Sequence, residues 1–280
     1  MADLQMREAP IVQLRSAAVA YADPEGPRRA LCGIDLDMAA GEWLAVVGPN
    51  GSGKSTLAGV LAGLRPLSRG TVARRHAAPA PVVFQNPEAG LTAETVYEEV
   101  CFSLENMALP PEEMPARCER ALALVGLAVS PSAPVARLSG GQKQLLALAA
   151  CLVAEPALLV LDEPTAMLDP AARERVLQAA RCICAAGAAV VWVTQRLEEL
   201  VCADRVLALS AGRIAFAGEP EAFFYGDDET AGDTPCERLG WRPPLAVEVA
   251  RRLLQAGVPL AGRPLDEPGL REAVAHACRS

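Results

Sequence analysis

The sequence is poor in several residue types, and each shortage excludes a class of protein. Aromatic residues make up 4% of the 280 positions, and lysine occurs only at Lys54 and Lys143, so 24 arginines carry the remaining positive charge. The formal net charge is -8, which leaves no broad basic surface for neutralising a nucleic-acid backbone. Nucleic acid is therefore not an expected partner.

Long apolar runs are also missing. A membrane-spanning helix needs about 20 uninterrupted apolar residues. The most apolar stretch, residues 145–161, is broken by Glu155 and Pro156. The residues after Met1 have neither the cationic start nor the apolar segment of a secretion signal. We therefore expect a chain that stays inside the cell and contacts a membrane only through a partner.

Paired cysteine motifs are absent as well. The nine cysteines are scattered and odd in number, which predicts reduced, mostly buried thiols rather than a disulfide framework. Cys182 and Cys184 form a lone CxC inside a helical pattern, where positions two apart face different directions. We do not expect a metal site there.

Hydrophobic residues make up 51% of the chain, and their order along the sequence predicts an α/β fold. Continuous apolar runs alternate with helical stretches, which is typical of a parallel sheet covered on both faces. The predicted strands are residues 43–47, 81–84, 157–161, 188–194 and 206–209, and the predicted helices are 57–64, 95–107, 112–125, 141–153 and 171–186. Residues 11–21 and 31–38 flank a turn signal and predict an antiparallel β piece.

The composition changes after residue 225. Residues 226–244 are rich in Asp, Gly, Pro and Thr and are interpreted as a linker. Helical spacing at 245–255 and 267–278 predicts a small helical extension. The predicted organisation is a domain at 1–225, a linker at 226–244 and an extension at 245–280.

A glycine-rich loop lies between the apolar run 43–47 and a predicted helix. It reads Gly48-x-x-x-x-Gly53-Lys54-Ser55, the pattern of a phosphate-binding loop in its required strand-to-helix context. Its backbone N–H groups and the helix N-terminus favour phosphate, Lys54 is expected to reach the β- and γ-phosphates, and the Ser55 hydroxyl to bind Mg²⁺. The predicted nucleotide-binding residues here are Gly48, Asn50, Gly51, Ser52, Gly53, Lys54, Ser55 and Thr56.

Two acidic residues follow the apolar run 158–161. Asp162 and Glu163 stand at the carboxyl end of a predicted strand, where open α/β sheets bind ligands. Asp162 is expected to hold Mg²⁺ through water, and Glu163 to polarise an attacking water. Without the glycine-rich loop, the pair would more often be a capping or turn feature.

The motif at residues 138–144 opens a predicted helix. Ser139 is suited to cap the helix, while Gly140 and Gly141 expose backbone N–H groups as a second anion site. The alternative is a helix cap and nothing more.

These three motifs, in this order, resemble the ATP-binding cassette (ABC) ATPases, and the resemblance covers roughly residues 10–220. It implies an antiparallel β subdomain, a parallel-sheet core and a helical subdomain at about 88–156, with ATP and Mg²⁺ as cofactors. It identifies Gln85 as the residue sensing Mg²⁺ and the attacking water, beside Ser55 and Asp162, and places Asp169 in the D-loop.

The same resemblance implies that one chain is incomplete. Ser139, Gly140, Gly141 and Gln142 belong to the family signature, which closes over the nucleotide of a second ATPase subunit in a head-to-tail homo- or heterodimer. Tyr21 stands where the family keeps an aromatic that stacks on adenine, and its alternative role is packing against the β piece.

A narrower likeness points to the ATPases of energy-coupling-factor (ECF) transporters, importers of vitamins or transition-metal ions. It is carried by residues 84–88, 93–100 and 104–106, and by residues 239–244 with the helix after them. It implies integral membrane transporter subunits as partners, attachment at the cytoplasmic face of the membrane, and an extension through which the ATPases pair.

Three departures from the family pattern qualify this hypothesis. Gln195 stands where the family keeps a switch histidine, and neither His76 nor His276 lies near that position. Ala89 and Gly90 replace an Asp-Gln pair, which is expected to alter the contact with a membrane partner, and the segment 70–81 is shorter than usual.

Two alternatives to an active importer ATPase stay open. Gln195 favours a weakly hydrolysing regulatory subunit paired with a more active paralogue, whereas intact Glu163 favours an enzyme. A soluble ABC protein acting on ribosomes or DNA fits less well, because such proteins commonly carry two cassettes in one chain.

Overall fold

A computed structural model of the chain describes residues 10–22, 24, 26–86, 88, 90–106, 109–226 and 233–278. The strands are β1 (Val12–Tyr21), β2 (Arg28–Met38), β3 (Trp43–Val47), β4 (Arg69–Arg74), β5 (Val82–Val83), β6 (Leu158–Asp162), β7 (Ala189–Val193), β8 (Arg205–Ser210) and β9 (Arg213–Gly218). The α-helices are α1 (Lys54–Ala62), α2 (Val96–Asn106), α3 (Met114–Leu124), α4 (Gly140–Leu152), α5 (Pro170–Ala185), α6 (Pro220–Tyr225), α7 (Pro235–Arg238), α8 (Leu245–Gln255) and α9 (Glu267–Ala277). The α/β fold class predicted from the sequence is confirmed.

The N-terminal strands form an antiparallel sheet in the order β2-β1-β4. Leu14, Ile34 and Leu36 point from this sheet into a hydrophobic cluster shared with α1 and the main sheet. The hydrophobic pattern does not predict β4, because its exposed, arginine-rich residues have no apolar face that would indicate a strand.

The main sheet has the order β5-β6-β7-β3-β8-β9. Its strands run parallel up to β8, and β9 adds an antiparallel edge. All residues of β3 and β7 are buried, as their continuous apolar runs predict. The edge strand β9 was missed, since its residues alternate between exposed and half-buried positions.

Helices cover both faces of this sheet. Leu57 and Leu61 of α1 pack between the main sheet and the antiparallel sheet. Helices α2 to α5 pack on the other side around Trp43 and Trp192, whose ring centroids are 5.3 Å apart. This arrangement brings the carboxyl ends of β3, β6 and β7 to one edge of the sheet.

The C-terminal extension packs on the core. Phe223 and Phe224 of α6 share a hydrophobic cluster with Cys236 of α7 and Val247 of α8. Helix α7 lies inside the predicted linker and begins with a capping box in which Thr234 caps the Glu237 N–H. Residues 227–232 of that linker lie outside the described part of the chain, and the three-part division stays a prediction.

Among the described residues, no helix is both long enough and apolar enough to cross a membrane.

Candidate functional site

The glycine-rich loop connects the end of β3 at Val47 to the start of α1 at Lys54. Gly53, the N-cap, has φ +106, and a Cβ there would lie 2.5 Å from the Ala30 carbonyl oxygen. A Cβ on Gly48, with φ +157, would meet the Leu209 carbonyl oxygen at 2.5 Å. No side chain caps α1, so N–H groups of its first turn stay available for an anion.

Lys54 lies inside the loop with only 6% of its surface exposed. Its Nζ donates to the carbonyl oxygens of Gly48 (2.8 Å) and Pro49 (3.2 Å). Burial lowers the pKa of Lys54, and the nearby carboxyl groups of Glu163 and Asp162 oppose that shift. The loop thus holds a desolvated cation at its centre, which fits the binding of a phosphate group.

A cavity of about 270 Å³ opens in front of the loop. It is lined by Tyr21, Arg28, Ala30, Asn50, Gly51, Gly53, Lys54, Ser55, Thr56 and Glu163. Ser52 is 2% exposed, and its hydroxyl has no hydrogen-bond partner among the described residues. An unpartnered buried hydroxyl beside a buried lysine fits a site that receives phosphate oxygens.

Two of the three predicted magnesium ligands, Ser55 and Asp162, are in contact. The Ser55 hydroxyl hydrogen-bonds the Asp162 carboxyl group, and this bond opposes the burial that raises the pKa of Asp162. A hydroxyl and a carboxylate are the oxygen donors that Mg²⁺ prefers, so this pair fits the ion. Gln85 lies exposed beyond β5 and does not line the cavity.

Glu163 and Gln195 meet at the carboxyl ends of β6 and β7. The Gln195 Nε2 donates to Glu163 Oε1 at 2.6 Å and to Asn50 Oδ1 at 3.2 Å. Glu163 itself has φ +52, an uncommon backbone conformation for a residue with a side chain. Gln195, at the switch position, therefore contacts both Glu163 and the phosphate loop.

Tyr21 lies at the rim of the cavity. Its hydroxyl is 3.1 Å from Thr56 Oγ1, and the Arg65 guanidinium carbon lies 5.1 Å from its ring centroid. The ring also packs against the cluster beneath the antiparallel sheet. These contacts are compatible with both predicted roles, stacking on a base and packing on the β piece.

The signature residues lie outside this cavity. Ser139 and Gln142 form a capping box at the start of α4, with Ser139 N–H donating to Gln142 Oε1 (2.9 Å) and Gln142 N–H to Ser139 Oγ (3.3 Å). Gly140 is exposed, whereas a Cβ on the buried Gly141 would lie 2.7 Å from the Ala172 Cβ. Gly141 therefore also permits close packing of α4 and α5.

Asp169 likewise lies away from the cavity. Its carboxylate caps α5 by accepting a hydrogen bond from the Ala172 N–H at 2.8 Å. None of residues 138–142 or 169 lines the phosphate cavity of its own chain. These residues therefore add nothing to the lining of that cavity.

Arg28 and Arg65 are site residues that the sequence analysis missed. Arg28 lines the cavity and is paired with Tyr21 in the β1–β2 register. That register could have been found by extending the predicted strand 31–38 backwards to residue 28. Arg65, which follows α1, carried no sequence signal that separated it from the other arginines.

Comparisons with known proteins agree with this geometry. The sequence profile of the family described as "ABC transporter" matches residues 31–166. The energy-coupling factor transporter ATP-binding protein EcfA1 of Symbiobacterium thermophilum is 41% identical over 269 residues, covering 90% of this chain and 92% of the relative. EcfA of Methanosarcina acetivorans is 38% identical over 257 residues, with 88% and 91% covered.

Solved structures show the same fold. The structure of cbiO1 from Clostridium perfringens, described as part of the ABC transporter complex cbiONQ, has a TM-score of 0.72 and 29% identity, covering 89% of this chain and 98% of its own. The ATP-binding cassette MJ0796, solved as a dimer bound to ADP and Pi, has a TM-score of 0.65 at 24% identity, covering 75% of this chain and 98% of its own. These structures and the relatives above show that the chain belongs to the ABC transporter ATPases, in the branch formed by the ATP-binding subunits of energy-coupling-factor transporters.

Proposed function

We propose that this chain binds ATP with Mg²⁺ at the phosphate loop and that its hydrolysis powers an ECF-type importer from the cytoplasmic face of the membrane. The observation that carries the proposal is the buried Lys54, held between loop carbonyls at the mouth of a cavity that also contains Glu163. The family membership supports the ATPase activity, and the cavity in front of the phosphate loop supports this loop as the place where ATP binds.

In this proposal the chain's own residues divide the work. Lys54 and the loop N–H groups hold the phosphates and offset the charge that develops on them. Glu163 accepts a proton from the attacking water, and Gln195 orients the Glu163 carboxylate through its amide. Mg²⁺ held by Ser55 and Asp162 would supply further positive charge at the phosphates.

Gln85 is proposed to join this site only when the segment after β5 moves. The side chain is exposed and does not line the loop cavity, and the segment carries the exposed Phe84. A partner that contacts Phe84 would therefore be placed to change the position of Gln85.

Pairing of two ATPase subunits is part of this proposal, and the position of the signature supports it. Residues 139–142 and Asp169 lie outside the chain's own cavity, and a second subunit in a head-to-tail arrangement would supply them. The dimeric cassette structure supports such pairing in a protein of the same fold. The composition of the purified complex distinguishes a second copy of this chain from a paralogue.

The membrane subunits are proposed to bind at an apolar groove beside the segment after β5. This groove, about 360 Å³ in volume, includes Phe84, Leu91, Phe102 and Ala147. Phe84 and Phe102 are 52% and 58% exposed, so a large apolar surface faces solvent there. Exposed aromatic patches of this kind mark protein interaction sites.

Co-purification tests this proposal. The chain carrying an affinity tag is isolated from detergent-solubilised membranes, and the hydrophobic proteins that accompany it are identified. We expect transmembrane subunits with wild type and with Leu64→Glu, a change at an apolar residue that is 57% exposed outside the groove, and their loss with Phe102→Glu. Recovery of ribosomal proteins or DNA without membrane subunits would contradict the importer function.

A second candidate function, a weakly hydrolysing regulatory subunit, is favoured by one observation. Gln195 donates a hydrogen bond to Glu163, but its amide cannot become a cation or carry a proton. The two functions differ in whether this chain's own Glu163 contributes to turnover of the complex.

A further inference from the structure

Glu199 is a buried carboxyl group close to the site and outside the residues assigned above. It lies in a short 3-10 helix, Leu197–Cys202, and is 2% exposed. Burying a carboxyl group is unfavourable unless hydrogen bonds compensate it. Here three neutral side chains donate to it, Thr165 Oγ1 (2.5 Å), Thr194 Oγ1 (2.7 Å) and Trp192 Nε1 (2.9 Å).

The first donor comes from the turn that carries Glu163. Thr165 is 1% exposed and stands two residues after Glu163. The turn is closed by hydrogen bonds from Ala166 N–H to the Glu163 carbonyl (3.2 Å) and from Leu168 N–H to the Thr165 carbonyl (3.1 Å). Because Thr165 is anchored on Glu199, the turn that presents Glu163 is anchored as well.

The second donor comes from the segment that carries Gln195. Thr194 directly precedes Gln195, and its Oγ1 also accepts a hydrogen bond from the Arg196 N–H at 3.0 Å. The hydroxyl thus fixes the backbone on both sides of Gln195. Thr194 is 2% exposed, and its anchor in turn is Glu199.

We propose that Glu199 is a positioning residue for ATP hydrolysis, because its two oxygens fix the Glu163 turn and the Gln195 segment in one relative placement. That placement leaves Gln195 Nε2 and Glu163 Oε1 at 2.6 Å. Glu199 Oε1 accepts the hydrogen bond from Thr165 and so holds the turn that carries Glu163. Glu199 Oε2 accepts the hydrogen bond from Thr194 and so holds the segment that carries Gln195. The inference rests on the proposed roles of Glu163 and Gln195.

The third donor supplies a matched control. Trp192 is buried in the core, packs against Trp43 with the two rings tilted by 42°, and belongs to neither turn. Trp192→Phe removes one hydrogen bond to Glu199 and leaves both threonine contacts in place. A purely structural role for Glu199 predicts that losing any of the three donors has the same kind of effect.

The test compares Thr165→Val, Thr194→Val and Trp192→Phe in the complex purified through a tag on this chain. We expect kcat to fall about ten-fold or more in each threonine variant, with the Kd for ATP within about two-fold of wild type, because misplacing a reacting group costs turnover rather than ground-state binding. Trp192→Phe is expected to lower the melting temperature and to keep kcat within about two-fold of wild type.

Glu199 itself is tested by two substitutions. Glu199→Gln keeps the size, and its amide can accept from Trp192 and Thr194 while donating to the Thr165 hydroxyl, so we expect it to retain most of kcat. Glu199→Leu removes every acceptor, and we expect a loss of kcat that disappears in a Glu163→Gln background, where the positioned group is already gone.

The contrary results are equally specific. Unchanged kcat in both threonine variants, or equal loss of kcat and ATP affinity in all three donor variants, would overturn the positioning role. Wild-type turnover no greater than that of Glu163→Gln would instead overturn the proposed site. The two failures are therefore distinguishable.

Discussion

The Gln195 Nε2 lies 2.6 Å from Glu163 Oε1 and donates a hydrogen bond to it. The same amide nitrogen reaches Asn50 in the phosphate loop, so one glutamine connects the proposed general base to the proposed nucleotide site. Through this contact Gln195 can still position the Glu163 carboxylate. It cannot supply the positive charge that a histidine gains near neutral pH.

The first prediction is that Gln195→His raises ATP turnover several-fold. Hydrogen bonds from charged donors contribute about 1.5–3 kcal/mol against about 1 kcal/mol for neutral ones, which corresponds to roughly ten-fold in rate if the cation acts in the transition state. Steady-state ATPase measurements on the assembled complex check it.

The control for this prediction is Gln195→Ala. It removes the donor to Glu163 without adding charge, and we expect turnover below that of wild type. If Gln195→His hydrolyses ATP no faster than wild type while Gln195→Ala is slower, glutamine performs the whole task of the histidine in this branch. The hypothesis that Gln195 weakens hydrolysis would then be wrong.

The second prediction is that Lys54→Ala weakens ATP binding roughly ten-fold to 100-fold. The change removes a charge-assisted contact with phosphate, worth roughly 1.5–3 kcal/mol, and two hydrogen bonds within the loop. Because Lys54 is buried, we also expect a loss of about 1 kcal/mol in the free energy of unfolding. Calorimetric titration with ATP and Mg²⁺, together with urea unfolding, measures both effects.

Lys143→Ala is the matched control, since it removes the other lysine of the chain. Lys143 pairs with Glu88, far along the chain from the phosphate loop. We expect the isolated chain carrying this change to bind ATP with wild-type affinity, because in the proposal the signature beside Lys143 meets a nucleotide only across a subunit pair. Unchanged ATP affinity in Lys54→Ala would show that the assignment of residues 48–56 as the phosphate-binding loop is wrong.

The third prediction concerns an apolar face of α8. Leu245 is 71% exposed, and Val249 and Leu253 follow it at four-residue spacing and are half-buried. We expect Leu245→Ser to raise the dissociation constant of subunit pairing about ten-fold, the order of one leucine side chain's burial. Analytical ultracentrifugation without nucleotide measures it.

A point substitution is cleaner here than deletion of the extension. Deletion would uncover Phe223, which packs against Trp241 with ring centroids 6.3 Å apart. Leu124→Ser, at a leucine 37% exposed on α3, serves as the control and should leave pairing unchanged. Equal dissociation constants for wild type, Leu245→Ser and Leu124→Ser would show that α8 packs only on its own chain.

The fourth prediction concerns pH. The Arg251 guanidinium, followed by contacts with Thr234, lowers the pKa of Glu237 from 4.5 to about 2. A lowered folded-state pKa gives stability that is present above the unfolded value and is lost as pH falls from about 4.5 through about 2. Glu237→Gln should therefore destabilise the chain by about 1 kcal/mol at pH 7, and the difference from wild type should shrink below pH 4.

Urea unfolding at pH 7 and pH 3.5 checks this pH dependence. Glu248→Gln is the control, because its partner Arg252 lies on the exposed side of the same helix and exposed pairs contribute little. A difference between Glu237→Gln and wild type that is the same at both pH values would show that charge on Glu237 is not what stabilises the extension.

Much of the site could be predicted because its chemistry is local in the sequence. The loop from Gly48 to Thr56 and the Asp162-Glu163 pair each follow a strand whose apolar run marks it. Parallel strands place their carboxyl ends at one edge, so both motifs had to meet. Burial of Lys54 and its bonds to loop carbonyls needed the structure, since sequence does not give the depth of a side chain.

The missed features depend on contacts between distant segments. Glu199 is one acidic residue among several after β7, and only the structure shows Thr165, 34 positions earlier, bonded to it. Gly141 was interpreted as a donor of backbone N–H, but its packing on Ala172 depends on how α4 meets α5. Strands β4 and β9 lie at sheet edges, where hydrophobic patterning is weakest.

The most direct test of the account is the ATP turnover of the complex isolated through this chain, measured for wild type and for Glu163→Gln. The substitution keeps the side-chain shape but removes the proposed base in this chain alone. We predict slow, measurable hydrolysis by wild type, a loss of about 100-fold or more for Glu163→Gln if the chain pairs with itself, and loss of this chain's share if it pairs with a paralogue. Identical turnover of the two proteins would contradict the account and leave the chain as a nucleotide-binding subunit that does not hydrolyse.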